Sequence, residues 1–262
     1  MSSDALLRSK LADGVFTITL HDGKANVMSL PMLRAIEAAL DEALAERAVV
    51  VLAARGKAFS GGFDLATFQQ RGPEPVDMLE SGARLAARLL AYPRPVVAAC
   101  QGHAVAMGAL LLLGADIRLC ADADLRIQLN EVQVGLTMPR FAIALCRQRL
   151  TPASLHRAIT TAAPFDARQA QSAGFADELV PLADLLSCAR QQALRLAAYP
   201  ANAFAESKRR LAAPASRALD QAIAEDLADW RAAFTADTSA VAAPRTGSSA
   251  AATHTGQQTR PR

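Results

Sequence analysis

A single acidic residue, Glu131, stands in the otherwise uncharged segment Leu129-Asn130-Glu131-Val132-Gln133-Val134-Gly135. Leu129, Val132, Val134 and Leu136 surround it in sequence. A carboxylate in such apolar company loses hydration, which raises its pKa and makes it a stronger base once ionised. The residue reads equally as a surface glutamate on one face of a short strand. Two earlier segments bring glycines: Lys57-Ala58-Phe59-Ser60-Gly61-Gly62-Phe63-Asp64-Leu65 and Gln101-Gly102-His103-Ala104-Val105-Ala106-Met107-Gly108-Ala109-Leu110. Each follows an apolar run and opens toward a helical pattern, where glycines let backbone N–H groups turn to a ligand and a helix N-terminus adds partial positive charge. Alone, either segment is a tight turn between strand and helix. Two such loops on neighbouring strands would aim two N–H groups at one oxygen, the geometry of an oxyanion hole.

The elements that must hold these segments alternate. Val15 to Leu20 has the pattern of a half-buried strand, and His21-Asp22-Gly23 ends it with turn chemistry. Ser29-Leu30-Pro31 opens a helix whose Leu33, Ile36, Leu40 and Leu44 recur at helical spacing, with Ser29 as cap. Ala48 to Ala54 is a β-branched apolar run that predicts a strand buried on both faces. The order then repeats: a helical pattern over Arg84 to Leu90, a buried strand over Pro95 to Cys100, and an apolar helix over Gly108 to Leu113. Such alternation predicts α/β architecture with a largely covered sheet. From Thr151 onward the pattern is almost wholly helical, with Asp166 capping the helix that begins near Ala167.

Composition narrows the class. With 262 residues, 52% of them hydrophobic, the chain can bury one sizeable core. Its 28 basic and 25 acidic residues form no long basic run, so nucleic acid is not an expected partner. Cys100, Cys120, Cys146 and Cys188 lie far apart without a CxxC pair and read as reduced, buried thiols. No metal site is expected. Asp4 and Arg8 interrupt the N-terminus, and the longest apolar run, Ala104 to Ala115, is too short for a bilayer, so a soluble cytoplasmic protein with no membrane partner is expected. Residues 236–262 are rich in Ala, Ser, Thr, Gly and Pro and predict a disordered tail, in which three arginines face one aspartate.

Taken together, the two loops, the Glu131 segment, the opening Gly23-Lys24-Ala25-Asn26-Val27-Met28-Ser29 and the late Pro200-Ala201-Asn202-Ala203-Phe204-Ala205-Glu206-Ser207-Lys208 resemble the crotonase family, also called enoyl-CoA hydratase/isomerases. The likeness runs in register over residues 10 to 235. It implies an α/β fold, a crotonase-type spiral of repeated ββα units with a helical C-terminal region. It divides the chain into a spiral core at residues 1–195, a C-terminal helical trimerisation region at 196–235 and the tail at 236–262. It also implies an acyl-CoA thioester as substrate, coenzyme A as part of that substrate with no separate cofactor, an enolate stabilised at the thioester oxygen, and a homotrimer or dimer of trimers.

Residue by residue, the resemblance gives the oxyanion N–H groups to Phe63, just before the aspartate of the first loop, and to Met107 within Ala106-Met107-Gly108. Lys24 and Ala25 resemble positions that contact the CoA phosphates and adenine, and Gly61 and Leu65 resemble backbone contacts to nucleotide and pantetheine. Asp64, Gly108 and Leu110 border the same site, and Asp64 also suits the cap of the following helix. Hydratases of the family carry two glutamates, one on the helix after the second loop and one at the Glu131 position; here the first is Leu110. Hydration needs one group to activate water and another to handle the proton at the adjacent carbon. Δ3,Δ2-enoyl-CoA isomerases keep only the second glutamate, in a segment resembling Leu129 to Gln133, so the resemblance points to an isomerase with Glu131 as proton shuttle. The alternatives are a hydratase or other crotonase reaction served by an acid such as Asp77 or Glu80, and a noncatalytic acyl-CoA binding protein. Met107 stands where many members carry glycine: either the backbone there needs positive φ, which methionine would strain, or its side chain shapes the acyl pocket. His103 reads as a packing or surface residue, and Asp116 as structural.

Overall fold

The chain opens with a hairpin, β1 (Leu7–Ala12) and β2 (Val15–Leu20), and then enters a repeat in which strands come in pairs. The long member of each pair, β3 (Val49–Ala54), is followed by a short one, β4 (Ala58–Ser60); the pattern recurs in β5 (Val96–Cys100) with β6 (His103–Val105), and in β7 (Ile117–Ala121) with β8 (Ile127–Gln128). The long strands join a six-stranded sheet of order β1-β2-β3-β5-β7-β9, where β9 is Glu178–Val180, and the short ones form a separate sheet, β4-β6-β8. Among the described residues every pairing of these strands except β1 with β2 is parallel, and Ile127 of β8 adds an isolated antiparallel bridge to Phe165. The protein was analysed as a computed structural model in which residues 6–70 and 72–235 are described; the tail expected over residues 236–262 lies outside them.

Helices cover the large sheet and join its strands. They are α1 (Leu30–Ala45), α2 (Leu65–Phe68), α3 (Pro73–Ala91), α4 (Met107–Gly114), α5 (Arg140–Cys146), α6 (Pro152–Thr161), α7 (Ala167–Ala173), α8 (Leu185–Ala197) and α9 (Ala201–Thr235). The Ser29 hydroxyl accepts the Met32 N–H at 3.4 Å and so caps α1, as its sequence predicts. Asp166 and Gln169 form a reciprocal capping box at α7. Helix α8 packs across β2, β3, β5 and β7, so the β-branched run Val49–Leu52 is buried on both faces. β2 is more buried than its alternation suggests, because β1 and β3 flank it and make it an interior strand. β9 breaks the helical pattern expected after Thr151: Leu179 pairs with Cys120 and closes the far edge of the large sheet. Cys100, Cys120 and Cys146 are buried, Cys188 is half-buried, and all four are free.

Helix α9 is fastened at two points. The Lys208 ammonium donates to Asp116 Oδ2 at 2.7 Å and to the Leu89 carbonyl at 3.2 Å, while Asp116 also accepts the Val96 N–H at 2.9 Å, so Asp116 has the structural role expected of it. Burial pulls the Lys208 ammonium below its ordinary range, and the neighbouring Asp116 carboxylate opposes that pull. Further along, the buried Asp226 carboxylate accepts the backbone N–H groups of Arg140 and Phe141 at 3.0 and 2.9 Å, supplying from α9 the cap that α5 lacks in its own sequence. Among the described residues no helix is long and apolar enough to cross a membrane.

Candidate active site

The three segments singled out in the sequence leave the same edge of the small sheet. Phe63 lies three residues beyond β4, Met107 two beyond β6 and Glu131 three beyond β8. Because β4, β6 and β8 are parallel neighbours, their C-terminal ends point the same way, and a parallel sheet presents its ligands' contacts at that edge. Register fixes the last two further: Val105 pairs with Gln128, and the Ala106 N–H donates to the Gln128 carbonyl at 2.8 Å.

The two glycine loops interlock. Gly62 has φ +93°, and a Cβ there would sit 2.9 Å from Ala106 Cβ and 3.6 Å from Met107 N, so the site needs glycine both for its backbone angle and for the close approach. A Cβ on Gly108 would meet the Ser60 carbonyl oxygen at 2.5 Å, which lets the first turn of α4 sit directly against the end of β4. The residue with strained backbone is Ala106, at φ +49° and ψ −121°, and not Met107, which is the first helical residue of α4. That answers the alternative left by the sequence: methionine carries no positive-φ penalty here. Its Sδ and the tip of the Phe63 ring both lie against Gly82 of α3. Among the described residues no loop or cap hydrogen bond uses the N–H of Phe63 or of Met107. For Met107 this follows from its place at a helix start, where the first N–H groups have no intrahelical acceptor.

Glu131 begins a turn of 3-10 helix, Val132–Val134, and does not lie on a strand. Nor do its sequence neighbours enclose it: Val132, Val134 and Leu136 are 46%, 48% and 45% exposed, since the tight turn rotates them outward, and only Leu129 is buried. Glu131 itself is half-buried, and α6 packs against its turn. Burial pushes the carboxyl from the ordinary 4.5 up to about 7, only weakly opposed by its own backbone N–H. One carboxylate oxygen, Oε2, is shut off from solvent and has no hydrogen-bond partner. Cys146, the last residue of α5, lies close enough for the Glu131 charge to add to the burial that pushes its thiol up to about 12.

The remaining residues marked in the sequence fall around this edge. Leu110 is buried in α4, one turn after Met107. Asp64 caps α2, accepting the Ala66 N–H at 3.1 Å and the Thr67 hydroxyl at 3.0 Å; α2 is a single turn, shorter than the helix expected there. Leu65 is 68% exposed, and Lys24 is also exposed. Gly61 donates its N–H to the Ala25 carbonyl at 2.8 Å, and Met28 donates to the Gly62 carbonyl at 2.7 Å, so the Lys24–Ala25 segment lies alongside the first loop. His103 accepts the Arg126 N–H on Nδ1 at 3.0 Å, in keeping with a packing role. Asp77 is exposed, and Glu80 pairs with Arg84; neither shares the helical face of Gly82 that meets Phe63 and Met107. A cavity of about 430 Å³ lined by Arg126, Gln128, Val132, Gln133, Thr160 and Pro164 opens beside the Glu131 segment without reaching Glu131, Phe63 or Met107. Among the described residues no three His, Cys, Asp or Glu side chains gather as a metal site.

Three residues near the opposite, N-terminal end of the small sheet go unmarked as site residues in the sequence: Asp22, Asn26 and Gln101. The Asp22 carboxylate accepts the N–H groups of Lys24, Asn26 and Val27 at 2.7 to 2.8 Å. Burial would raise its pKa, but these backbone donors prevail and hold it below the ordinary carboxylate range. The Asp-Gly turn signal points to Asp22; nothing local points to the long-range partners of Asn26 and Gln101.

Two free N–H groups and one desolvated carboxylate on a common sheet edge are equipped to stabilise an anion at a carbonyl oxygen while a proton moves nearby. The chain belongs to the enoyl-CoA hydratase/isomerase family, whose sequence model matches residues 10–243. It is similar to a probable enoyl-CoA hydratase of Mycobacterium tuberculosis, with 36% identity, a TM-score of 0.84, and coverage of 87% of this chain and 97% of that one. A second structure of that same mycobacterial protein, there described as an enoyl-CoA isomerase, gives 36% identity, a TM-score of 0.83, and coverage of 87% and 99%. A glyoxysomal fatty acid beta-oxidation multifunctional protein of Brassica napus is 36% identical over 71% of this chain; the chain spans about a quarter (26%) of that relative's length. The fold is thus the crotonase-type α/β fold of these solved relatives.

Proposed function

We propose that the protein is an enoyl-CoA isomerase that shifts a double bond between C3 and C2 of an acyl-CoA thioester. The thioester oxygen is held by the Phe63 and Met107 N–H groups, which acidifies the C2 proton. Ionised Glu131 takes that proton, the electron pair spreads as a dienolate from the oxygen to C4, and Glu131 returns the proton at C4. The C2–C3 double bond is then in place. Coenzyme A enters and leaves as part of the substrate, and no redox group or metal is required by these steps.

The observation that carries this reading is the desolvated Glu131 carboxylate, whose Oε2 has no hydrogen-bond partner among the described residues, together with a buried Leu110 one turn after Met107. A base held near pH 7 can both accept and give up a proton at neutral pH, as a 1,3-shift demands. Adding water across a double bond demands a second acid–base group, and Asp77 and Glu80 of α3 are turned off the site's face or paired with arginine. Relatives carry both hydratase and isomerase names, so the reaction itself must decide. The protein is given a 3-enoyl-CoA and, separately, a 2-enoyl-CoA in water. Fast conversion of the first and slow hydration of the second are expected; fast hydration that survives Glu131→Gln would sink the proposal. We also propose assembly as a trimer or dimer of trimers, checked by sedimentation.

A further inference from the structure

We infer that Asn26 is a positioning residue that couples the segment meeting the nucleotide end of the substrate to the two loops that hold its thioester oxygen. The inference rests on the acyl-CoA reading of the site, in which Lys24 and Ala25 meet the nucleotide. Asn26 is buried and adopts left-handed φ of +51°, a conformation that asparagine tolerates better than most residues. Its side-chain oxygen accepts the Asp22 N–H at 3.1 Å, and its side-chain nitrogen donates to the carbonyls of Arg55 at 2.9 Å and Ala58 at 2.8 Å. Both side-chain N–H donors are thereby engaged across the end of β3 and the start of β4.

The Ala58 carbonyl is a three-way junction. It accepts from Asn26 on one side and from Gln101 Nε2 at 2.9 Å on the other, using both of its lone pairs. Asn26 belongs to the Lys24 segment, Ala58 begins the strand that leads to Phe63, and Gln101 precedes the strand that leads to Met107. The ladder continues with Gly61 N–H to Ala25 O, Met28 N–H to Gly62 O, and His103 N–H to Lys57 O. Fixing Lys24 and Ala25 against a nucleotide therefore fixes the carbonyl on which both oxyanion loops are hung. Binding energy from a part of the substrate remote from the reaction is in this way expressed where the oxyanion forms, so removing the nucleotide lowers kcat as well as raising KM.

The test offers one acyl group, 3-hexenoyl, as its CoA thioester and as its N-acetylcysteamine thioester, which lacks the nucleotide. In the unaltered protein, kcat on the CoA thioester is expected to exceed that on the truncated one by about tenfold or more, a coupling of ordinary size. Asn26→Gly keeps the left-handed backbone and removes the bridge; Gln101→Leu removes the bond to the Ala58 carbonyl from the other side. Each should pull the kcat ratio between the two thioesters most of the way to one. A ratio that stays the same in both variants while both rates fall marks a merely structural role and overturns the inference. A ratio already near one in the unaltered protein overturns it too. Turnover of neither thioester by the unaltered protein overturns the acyl-CoA reading itself.

Discussion

The two sheets are built from successive strands of the same three repeats, yet they do different work. The large sheet takes Val49–Ala54, Val96–Cys100 and Ile117–Ala121, whose side chains are almost all buried. The small sheet takes strands of two or three residues, and every segment proposed to do chemistry leaves its edge. Long apolar strands earn stability from area removed from water, whereas strands this short bury little and depend on the large sheet behind them. Each repeat therefore separates a rigid part from a part free to carry strained backbone, unpaired N–H groups and a desolvated acid. Features that would weaken a core sit where the fold has stability to spare.

The sharpest way to break this comparison is to alter chemistry on the small sheet without touching the large one. Glu131→Gln should lower kcat/KM for 3-enoyl-CoA by about a thousandfold, the usual weight of a positioned general base. Deuterium exchange at C2 should fall with it, while thioester binding measured by calorimetry persists. The converse change is Leu52→Ala in β3, where the side chain is buried in the core cluster between its register partners Ile18 and Ala98. It should cost about 3 kcal/mol of unfolding free energy by denaturant titration. Its kcat per folded molecule should hardly change, and a large loss of kcat there would show that the sheets are not separable.

The pH dependence sharpens the same point, because Glu131 couples activity to stability with opposite signs. Its folded pKa of about 7 lies above the ordinary 4.5. Kcat/KM limited by an ionised base should therefore rise with pH through about 7 and level off above. A raised carboxyl pKa contributes stability that is fully present below about 4.5, shrinks as pH rises toward 7 and is absent above. Glu131→Gln removes that penalty of charging a buried acid, so above pH 7 it should be more stable than the unaltered protein, by roughly 3 kcal/mol at most, and indistinguishable near pH 4. Thermal melts at pH 5 and 8 check the difference; equal shifts at both would place the ionised carboxylate in a hydrated setting.

The two sheets also differ in how plainly the sequence announces them. β3 and β5 are legible because five or six apolar residues in a row have few alternatives, and the Ser29 and Asp166 caps are legible because their partners lie three residues away. β4, β6 and β8 are too short to show a period of two, so the sheet that carries the site has no signature of its own. Its segments are found instead through glycines and a lone glutamate, chemistry first and support afterwards. The reason for the Glu131 environment was misplaced in the sequence for a related cause. Apolar neighbours along a chain enclose a side chain only if the backbone keeps them on its side, and a 3-10 turn carries Val132, Val134 and Leu136 away. Asn26 and Gln101 were hidden because their partners lie about thirty to forty residues off, a separation that only the assembled fold closes.

The smallest expected effect concerns the strain itself. Ala106 holds φ +49° and ψ −121°, a region that favours glycine, because Gly62 on one side and the Gln128 carbonyl on the other fix the loop. Ala106→Gly should relieve about 1 kcal/mol of backbone strain, partly offset by the greater freedom of glycine in the unfolded chain, so a net gain of a few tenths to 1 kcal/mol is expected in denaturant titration. The same substitution on the large sheet, Ala98→Gly in the middle of β5, has no strain to relieve and should destabilise by about 1 kcal/mol. Opposite signs for one chemical change at two alanines would show that the small sheet's edge is held in its conformation by its surroundings, whereas the large sheet's strand is where alanine is at rest. Matching losses at both positions would mean that the loop before Met107 is unstrained, and the contrast between the sheets would then rest on burial alone.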